Sequence, residues 1–116
     1  MKHILIAIAT ASIAMTAVTA QAADLKKGQE LLVKGNCAAC HGEGMNKPVV
    51  AEYPKLAGQH ADYLYAALKA YKVTNNPNIG RSNAIMAGHV AQFSDRDLKD
   101  MAAYIASLPG NLVVKK

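Results

Sequence analysis

The chain has 116 residues, the length of a single domain, and carries 13 Lys and Arg against 8 Asp and Glu, a formal net charge of +5. No run of Lys or Arg exceeds two residues, and aromatic residues are not interleaved with them. This dispersed charge favours acidic protein partners or membrane surfaces and excludes a nucleic-acid interface.

The first 22 residues predict a targeting segment that is not part of the folded domain. Lys2 and His3 form a short basic start, and residues 4–18 are apolar with small Thr and Ser interruptions. Residues 20–22, Ala-Gln-Ala, match the small-residue cleavage pattern of a secretory signal peptide. We therefore expect export to the periplasm, cleavage after Ala22, and one domain at 23–116 without a transmembrane anchor. A retained membrane anchor is the alternative.

The mature chain begins with a predicted helix. Asp24 is a suitable N-cap, residues 26–34 continue the helix, and Gly35 is a suitable stop. Gly28 lies inside this helix, where the missing side chain would let another helix come close.

The next stretch is Cys37-Ala38-Ala39-Cys40-His41. Two cysteines three apart, followed at once by a histidine, are typical of a c-type haem attachment site. The two intervening residues let one helical turn present both thiols to the two vinyl groups of one haem, which gives two thioether bonds. The histidine that follows then binds the iron from one side.

Other chemistries for a Cys-x-x-Cys pair fit this chain less well. A zinc site needs two more ligands, and the chain has no other cysteine. A thioredoxin-like pair requires a βαβ surrounding, which the sequence does not predict. A disulfide across two residues closes a very small loop and would stabilise little. The prediction is one haem c, attached covalently through Cys37 and Cys40.

The remaining elements follow in order. Residues 42–59 predict an irregular loop with several Gly and Pro, and residues 60–73 a helix with Tyr, Leu and Ala on one face, which we interpret as core packing. Residues 74–93 predict a long functional connection. Ser94 is the N-cap of a third helix that reaches Leu108 and is stopped by Pro109-Gly110. Three main helices and long loops, without a credible sheet, predict an all-α fold around the haem.

Met86 is the predicted second axial ligand of the iron. Met45 lies only four residues beyond the proximal histidine, Met101 falls on the apolar face of the last helix, and His60 opens the second helix as a solvated residue. Met86 lies in the long connection among small and apolar residues, and methionine is a recurrent partner of haem iron. His89 is the rival and would give ligation by two histidines.

Ligation by His41 and Met86 has a functional consequence. A thioether stabilises ferrous iron relative to a second imidazole and so raises the reduction potential. With six positions filled, no site remains for a substrate or a gas. The iron would then transfer single electrons, and the protein would not be an enzyme.

The sequence resembles the class I c-type cytochromes of the small bacterial type, and most of all one half of the periplasmic two-haem tandem cytochromes c. The residues that carry the resemblance, in chain order, are Cys37–Gly42, Pro54–His60, Tyr63-Leu64, Gly80–Asn83, Met86 and Leu98–Pro109. The tandem proteins have two haem motifs, whereas this chain has one.

The resemblance implies further contacts. The carbonyl of Pro54 would accept the Nδ1 proton of His41 and fix its tautomer. Gly28 on the first helix would pack against Tyr104 on the last. Arg81 would either approach a haem propionate or remain a solvated loop residue, and both readings stay open.

We therefore expect a periplasmic carrier of one electron, steered to acidic redox partners by lysines such as Lys47, Lys55 and Lys72. The first alternative is a cytochrome subunit of a periplasmic dehydrogenase or sulfur-oxidising complex. The second is a haem sensor or a peroxidase-like enzyme, which would need an open or displaceable sixth position on the iron. The oligomeric state stays open.

Overall fold

The computed structural model describes residues 21–76 and 78–111, which form five helices and one 3-10 turn. They are α1 (Leu25–Lys34), α2 (Ala38–His41), the 3-10 turn (Glu43–Met45), α3 (Ala61–Ala70), α4 (Ala84–Val90) and α5 (Asp95–Ser107). No strand occurs in these two ranges, and the all-α prediction is confirmed. Residues 1–20 of the expected signal segment and residues 112–116 lie outside the described residues.

Helix α1 begins and ends where its capping residues allow. The side chain of Asp24 accepts a hydrogen bond from the backbone N–H of Lys27 at 3.0 Å, which satisfies one of the free donors of the first turn. At the other end the N–H of Gly35 returns to the carbonyl of Leu31 at 2.9 Å. The predicted helix over 26–34 is therefore observed, with one residue added at its start.

Helix α5 starts with a reciprocal pair of hydrogen bonds. The N–H of Asp97 donates to Ser94 Oγ at 3.1 Å, and the N–H of Ser94 donates to the Asp97 carboxylate at 3.0 Å. This capping box satisfies two backbone donors at once. The bond from the Ser94 backbone also holds the pKa of Asp97 below its usual range, because it favours the charged carboxylate.

Helices α1 and α5 cross in contact at Gly28. A Cβ atom at this position would lie 2.1 Å from the carbonyl oxygen of Asp100 and 2.9 Å from Cβ of Tyr104. Only glycine lets the two backbones come so close. The contact between Gly28 and Tyr104 that the family resemblance implied is present in the structure.

A buried carboxylate strengthens the same crossing. Asp100 is 3% exposed, and its Oδ1 accepts a hydrogen bond from the backbone N–H of Asp24 at 2.9 Å. Arg96, one turn earlier on α5, places its Nε 3.3 Å from the same oxygen. The buried carboxylate therefore has both a hydrogen-bond donor and a positive charge beside it, which offset the cost of removing it from water.

Helix α3 packs against α5, so that α5 touches both of the other long helices. The apolar side chains of these helices and of the segments between them form one core. Its buried members are Leu31, Leu32, Met45, Ala57, Leu64, Val90, Phe93, Leu98, Met101, Ala102 and Ile105. Helix α3 is shorter than predicted, since it spans Ala61–Ala70 rather than 60–73, and His60 is its exposed N-cap.

The prediction of one long connection over 74–93 is wrong in part, because it contains α4. The side chain of Asn83 caps this helix by accepting a hydrogen bond from the N–H of Met86 at 2.9 Å. Helix α4 has only seven residues and includes Gly88, so it shows no apolar periodicity that sequence reasoning could detect.

Replacing Gly28 by alanine should lower the free energy of unfolding by about 1–3 kcal/mol, because α1 and α5 must move apart to admit the methyl group. Denaturant unfolding of the holoprotein measures the change. Gly88→Ala is the matched control: no atom lies within 4 Å of a Cβ there, so the gain in helix propensity should stabilise by about 0.5–1 kcal/mol. Equal unfolding midpoints for the two variants would contradict the described crossing.

Candidate haem site

A largely apolar cavity of about 370 Å³ lies between the helices of the domain. Its volume falls within the range of cavities that hold small molecules and cofactors. The wall comes from α2, α3, α4, α5 and the segment before α3. The lining residues with chemistry relevant to haem are Cys37, Cys40, His41, Met86 and His89.

Both cysteines are brought to this cavity by the end of α1 and the single turn of α2. The N–H of Cys37 donates to the carbonyl of Leu32 at 3.1 Å, which ties the start of the turn to α1. Both thiols are free and half-buried. Burial raises the pKa of the Cys37 thiol, with a smaller contribution from Cys40, so that the neutral thiol is favoured. This environment is unlike that of a redox-active thiolate pair.

The chain turns sharply after the motif. Gly42 has φ +79°, and a Cβ atom there would lie 1.7 Å from the carbonyl oxygen of Lys47. The N–H of Val49 then donates to the carbonyl of Cys40 at 3.0 Å, which closes the loop against the short helix. The sequence therefore requires glycine directly after the histidine.

His41 is held in one orientation. The side chain is 7% exposed, and its Nδ1 lies 2.9 Å from the carbonyl oxygen of Pro54. Because a carbonyl only accepts, Nδ1 donates the proton, and in the neutral imidazole the lone pair that binds a metal then lies on Nε2. The implied contact with Pro54 is thus present.

The partner carbonyl is positioned by the backbone of the 3-10 turn. The carbonyl of Met45 accepts hydrogen bonds from the N–H groups of Leu56 at 2.8 Å and Ala57 at 3.1 Å. These two bonds fix the segment that carries Pro54. The side chain of Met45 is buried in the core and does not line the cavity.

The apolar face of α3 lies along the cavity wall. The sequence predicted these residues as core packing, and the structure adds that they face the cofactor site. The residues are Tyr63, Leu64, Ala67, Leu68 and Tyr71. Periodicity identified the face of the helix correctly but could not tell a protein core from a cofactor pocket.

Met86 lines the same cavity from the first turns of α4 and is half-buried. Its rival His89 also lines the cavity from α4. Met101 reaches the wall from α5 but is 2% exposed and packs in the core, as predicted. Of the four alternatives weighed from the sequence, the structure therefore brings two to the cavity and leaves Met45 and His60 away from it.

Arg81 lies at the edge of the cavity between two tyrosines of α3. Its Nη2 donates to the hydroxyl of Tyr63 at 2.9 Å, and its guanidinium carbon is 5.7 Å from the ring centroids of both Tyr63 and Tyr71. The residue is exposed, yet its charge is held in one place by a hydrogen bond and two cation–π contacts. It is therefore more constrained than a freely solvated loop residue.

These residues fit a haem. The wall is largely apolar, two free thiols lie on one turn, and the next residue is a buried histidine whose Nδ1 is bonded to a backbone carbonyl. The class of protein that this arrangement defines is a small helical domain which attaches haem through a Cys-x-x-Cys-His segment.

Comparison with known proteins places the chain in a family. Residues 25–109 match the family model described as cytochrome c, and the chain belongs to this family. A cytochrome c4 of Stutzerimonas stutzeri is 35% identical over 105 residues, which cover 87% of this chain and 49% of the relative. Cytochrome c-554(548) of Halomonas halodenitrificans is 36% identical over 86 residues, which cover 74% of this chain and 98% of the relative.

A solved structure is similar as well. The crystal structure of reduced recombinant cytochrome c4 from Pseudomonas stutzeri has a TM-score of 0.67 and 35% identity, and the match covers 78% of this chain and 48% of that chain. This chain thus spans about half the length of the cytochromes c4 that it matches. The predicted class I c-type cytochrome and its fold are confirmed, and the cofactor is one haem c bound covalently through Cys37 and Cys40.

Covalent attachment predicts that haem stays with the polypeptide when the protein is denatured. The mass of the intact chain should include one haem, and the double variant Cys37→Ala/Cys40→Ala should lose it on extraction with acid and organic solvent. Glu52→Gln, which changes another residue of the cavity wall, should retain it. A native chain with the mass of the bare polypeptide would refute the site.

Proposed function

We propose that this protein is a periplasmic carrier of single electrons whose haem iron is bound by His41 and Met86. The observation that carries the proposal is that one cavity is lined by the two attachment cysteines, by an imidazole with a free Nε2, and by a methionine from a separate helix. Membership of the cytochrome c family supports electron transfer as the general activity.

Haem, when bound, supplies an iron that cycles between the ferric and ferrous states by one electron. The polypeptide contributes by fixing the positions of the two side chains that would bind the iron. His41 is fixed by its bond to the carbonyl of Pro54, and the bond also makes the imidazole a stronger donor. The Asn83 cap fixes the first turn of α4 at the backbone N–H of Met86. Ligands on fixed elements move little when the charge of the iron changes, which favours rapid transfer.

The apolar lining of the cavity would limit the access of water to a bound haem. Helix α3 covers the cavity with Leu64, Leu68 and two tyrosine rings, while Met101 and Ile105 of α5 close its floor. An apolar surrounding disfavours the extra positive charge of the ferric state. Together with a thioether ligand it should give a higher reduction potential than ligation by two histidines.

If Met86 binds the iron, the Met86→Ala variant should lose the optical sign of sulfur ligation. The ferric native protein should show the weak long-wavelength sulfur-to-iron charge-transfer band, and Met86→Ala should lack it, bind carbon monoxide readily in the ferrous state, and have a lower reduction potential.

Met101→Leu is the matched control, because it removes another methionine of the cavity wall. It should keep the band and the potential of the native protein. A band that survives in Met86→Ala would show that Met86 is not the ligand. Ready carbon monoxide binding by the native protein would favour a sensor or a peroxidase-like enzyme instead.

Location and partners are part of the same proposal. The apolar start of the sequence and the residues at 20–22 support export and cleavage after Ala22. Among the described residues, no helix is both long enough and apolar enough to cross a membrane. The excess of Lys and Arg over Asp and Glu, which remains after loss of residues 1–22, supports acidic redox proteins as partners.

The three lysines expected to steer partners differ in their surroundings. Lys55 lines the cavity and is exposed, so its charge lies at the mouth of the haem site. Lys47 is exposed on the loop after the motif. Lys72 donates from Nζ to the carbonyl of Phe93 and is therefore tied to the backbone next to α5. We infer that Lys55 contributes most to steering at the cavity mouth.

Lys55→Gln should slow association with an acidic redox protein by about 2- to 5-fold at low salt, because a charge at the rim of the contact acts on the association rate. Stopped-flow reduction over a range of ionic strength measures it. Lys26→Gln removes the same unit of charge from α1, away from the cavity, and should have a smaller effect. Rates that do not depend on ionic strength would contradict electrostatic steering.

A further inference from the structure

Helix α4 carries Met86 but is held differently from the long helices. The broad helix–helix contacts of the described residues join α5 to α1 and to α3, and α4 takes part in neither. Its two ends are fixed by separate contacts. Asn83 caps the start of α4. At the other end, the last residue of the helix, Val90, and Phe93 in the segment that follows are buried in the core, each 2% exposed.

The side chain of His89 makes a third contact between α4 and the rest of the domain. Nδ1 of His89 lies 3.2 Å from the carbonyl oxygen of Gly35. Since a carbonyl only accepts, His89 donates from Nδ1. Gly35 is the buried C-cap of α1, and a Cβ atom there would lie 3.1 Å from Sγ of Cys37. The hydrogen bond therefore joins α4 to the backbone directly beside the haem-attachment thiol.

Met86 and His89 are three residues apart on α4 and both line the cavity, so they share a face of the helix. A helix that moves away from the haem to release Met86 must also pull His89 away from Gly35. We propose that His89 is a positioning residue, which pins α4 to the end of α1 and opposes the release of Met86 from the iron. The proposal rests on the proposed ligation by Met86.

Added imidazole can be used to measure the effect of the hydrogen bond between His89 and Gly35. It binds the ferric iron only in molecules from which Met86 has departed, so its apparent affinity is proportional to the fraction of such molecules. Removing the hydrogen bond should raise that fraction. One hydrogen bond of ordinary net strength corresponds to an apparent affinity about 2- to 12-fold higher.

The experiment is an optical titration of the ferric holoprotein with imidazole, in the native chain and in His89→Leu. Leucine removes the donor and has a higher helix propensity than histidine, so looser positioning of α4 in this variant cannot come from a weaker helix. Ser94→Ala is the control, because it removes the N-cap bond of α5 and lowers global stability without touching α4. We expect tighter imidazole binding in His89→Leu and unchanged binding in Ser94→Ala. Unchanged binding in His89→Leu, or equal tightening in both variants, would overturn the proposal.

A second comparison tests whether His89 acts through Met86. In the Met86→Ala background there is no thioether to displace, so adding His89→Leu should leave the affinity for imidazole unchanged. An effect that persists there would mean that His89 competes for the iron itself or contacts imidazole directly, and would overturn the positioning role.

The two proposals fail in different ways. A native ferric protein without the sulfur-to-iron band would refute ligation by Met86. A native protein that shows the band, together with His89→Leu that binds imidazole no more tightly, would refute only the role of His89.

Discussion

The contact of α1 with α5 at Gly28 is the constraint on which the rest of this structure depends. The C-cap of α1, Gly35, lies two residues before the first attachment cysteine, so the position of α1 determines where the haem motif enters the cavity. Helix α5 supplies the floor of the same cavity through Met101 and Ile105. The close contact between α1 and α5 therefore sets the distance between the haem-attachment turn and the floor of the cavity.

The cavity itself is assembled from parts of the chain that are far apart in sequence. The attachment turn comes from residues 37–41, one wall from α3 and the proposed methionine ligand from α4.

Two histidines are oriented by the same kind of hydrogen bond in different places. Each donates from Nδ1 to a backbone carbonyl, His41 to Pro54 and His89 to Gly35. In both cases a backbone whose path is already fixed holds an imidazole in a single tautomer.

Local signals allowed the sequence to predict much of this arrangement. Asp24 and Ser94 are capping residues, and they located the starts of α1 and α5 within one residue. The spacing of Cys37, Cys40 and His41 defined the cofactor, because few other functions need those three residues at that spacing. Elimination among the methionines and histidines pointed to Met86, which the structure brings to the cavity.

Features that depend on tertiary contacts were not predictable in the same way. Helix α4 is too short for a hydrophobic period, and only the capping role of Asn83 could have indicated it. The periodicity of α3 identified a buried face but not the cofactor that it faces. The His89 contact with Gly35 joins residues 54 positions apart, and no local pattern encodes such a pair.

The buried carboxylate of Asp100 sets a practical limit on how the amino terminus can be altered. It accepts its hydrogen bond from the backbone N–H of Asp24, the second residue of the mature chain proposed to begin at Ala23. A recombinant chain shortened past residue 24 would leave a core anion without that donor, whereas a fusion joined before residue 23 keeps it. A purification tag that is to stay on the mature chain therefore belongs between the cleavage position and residue 23.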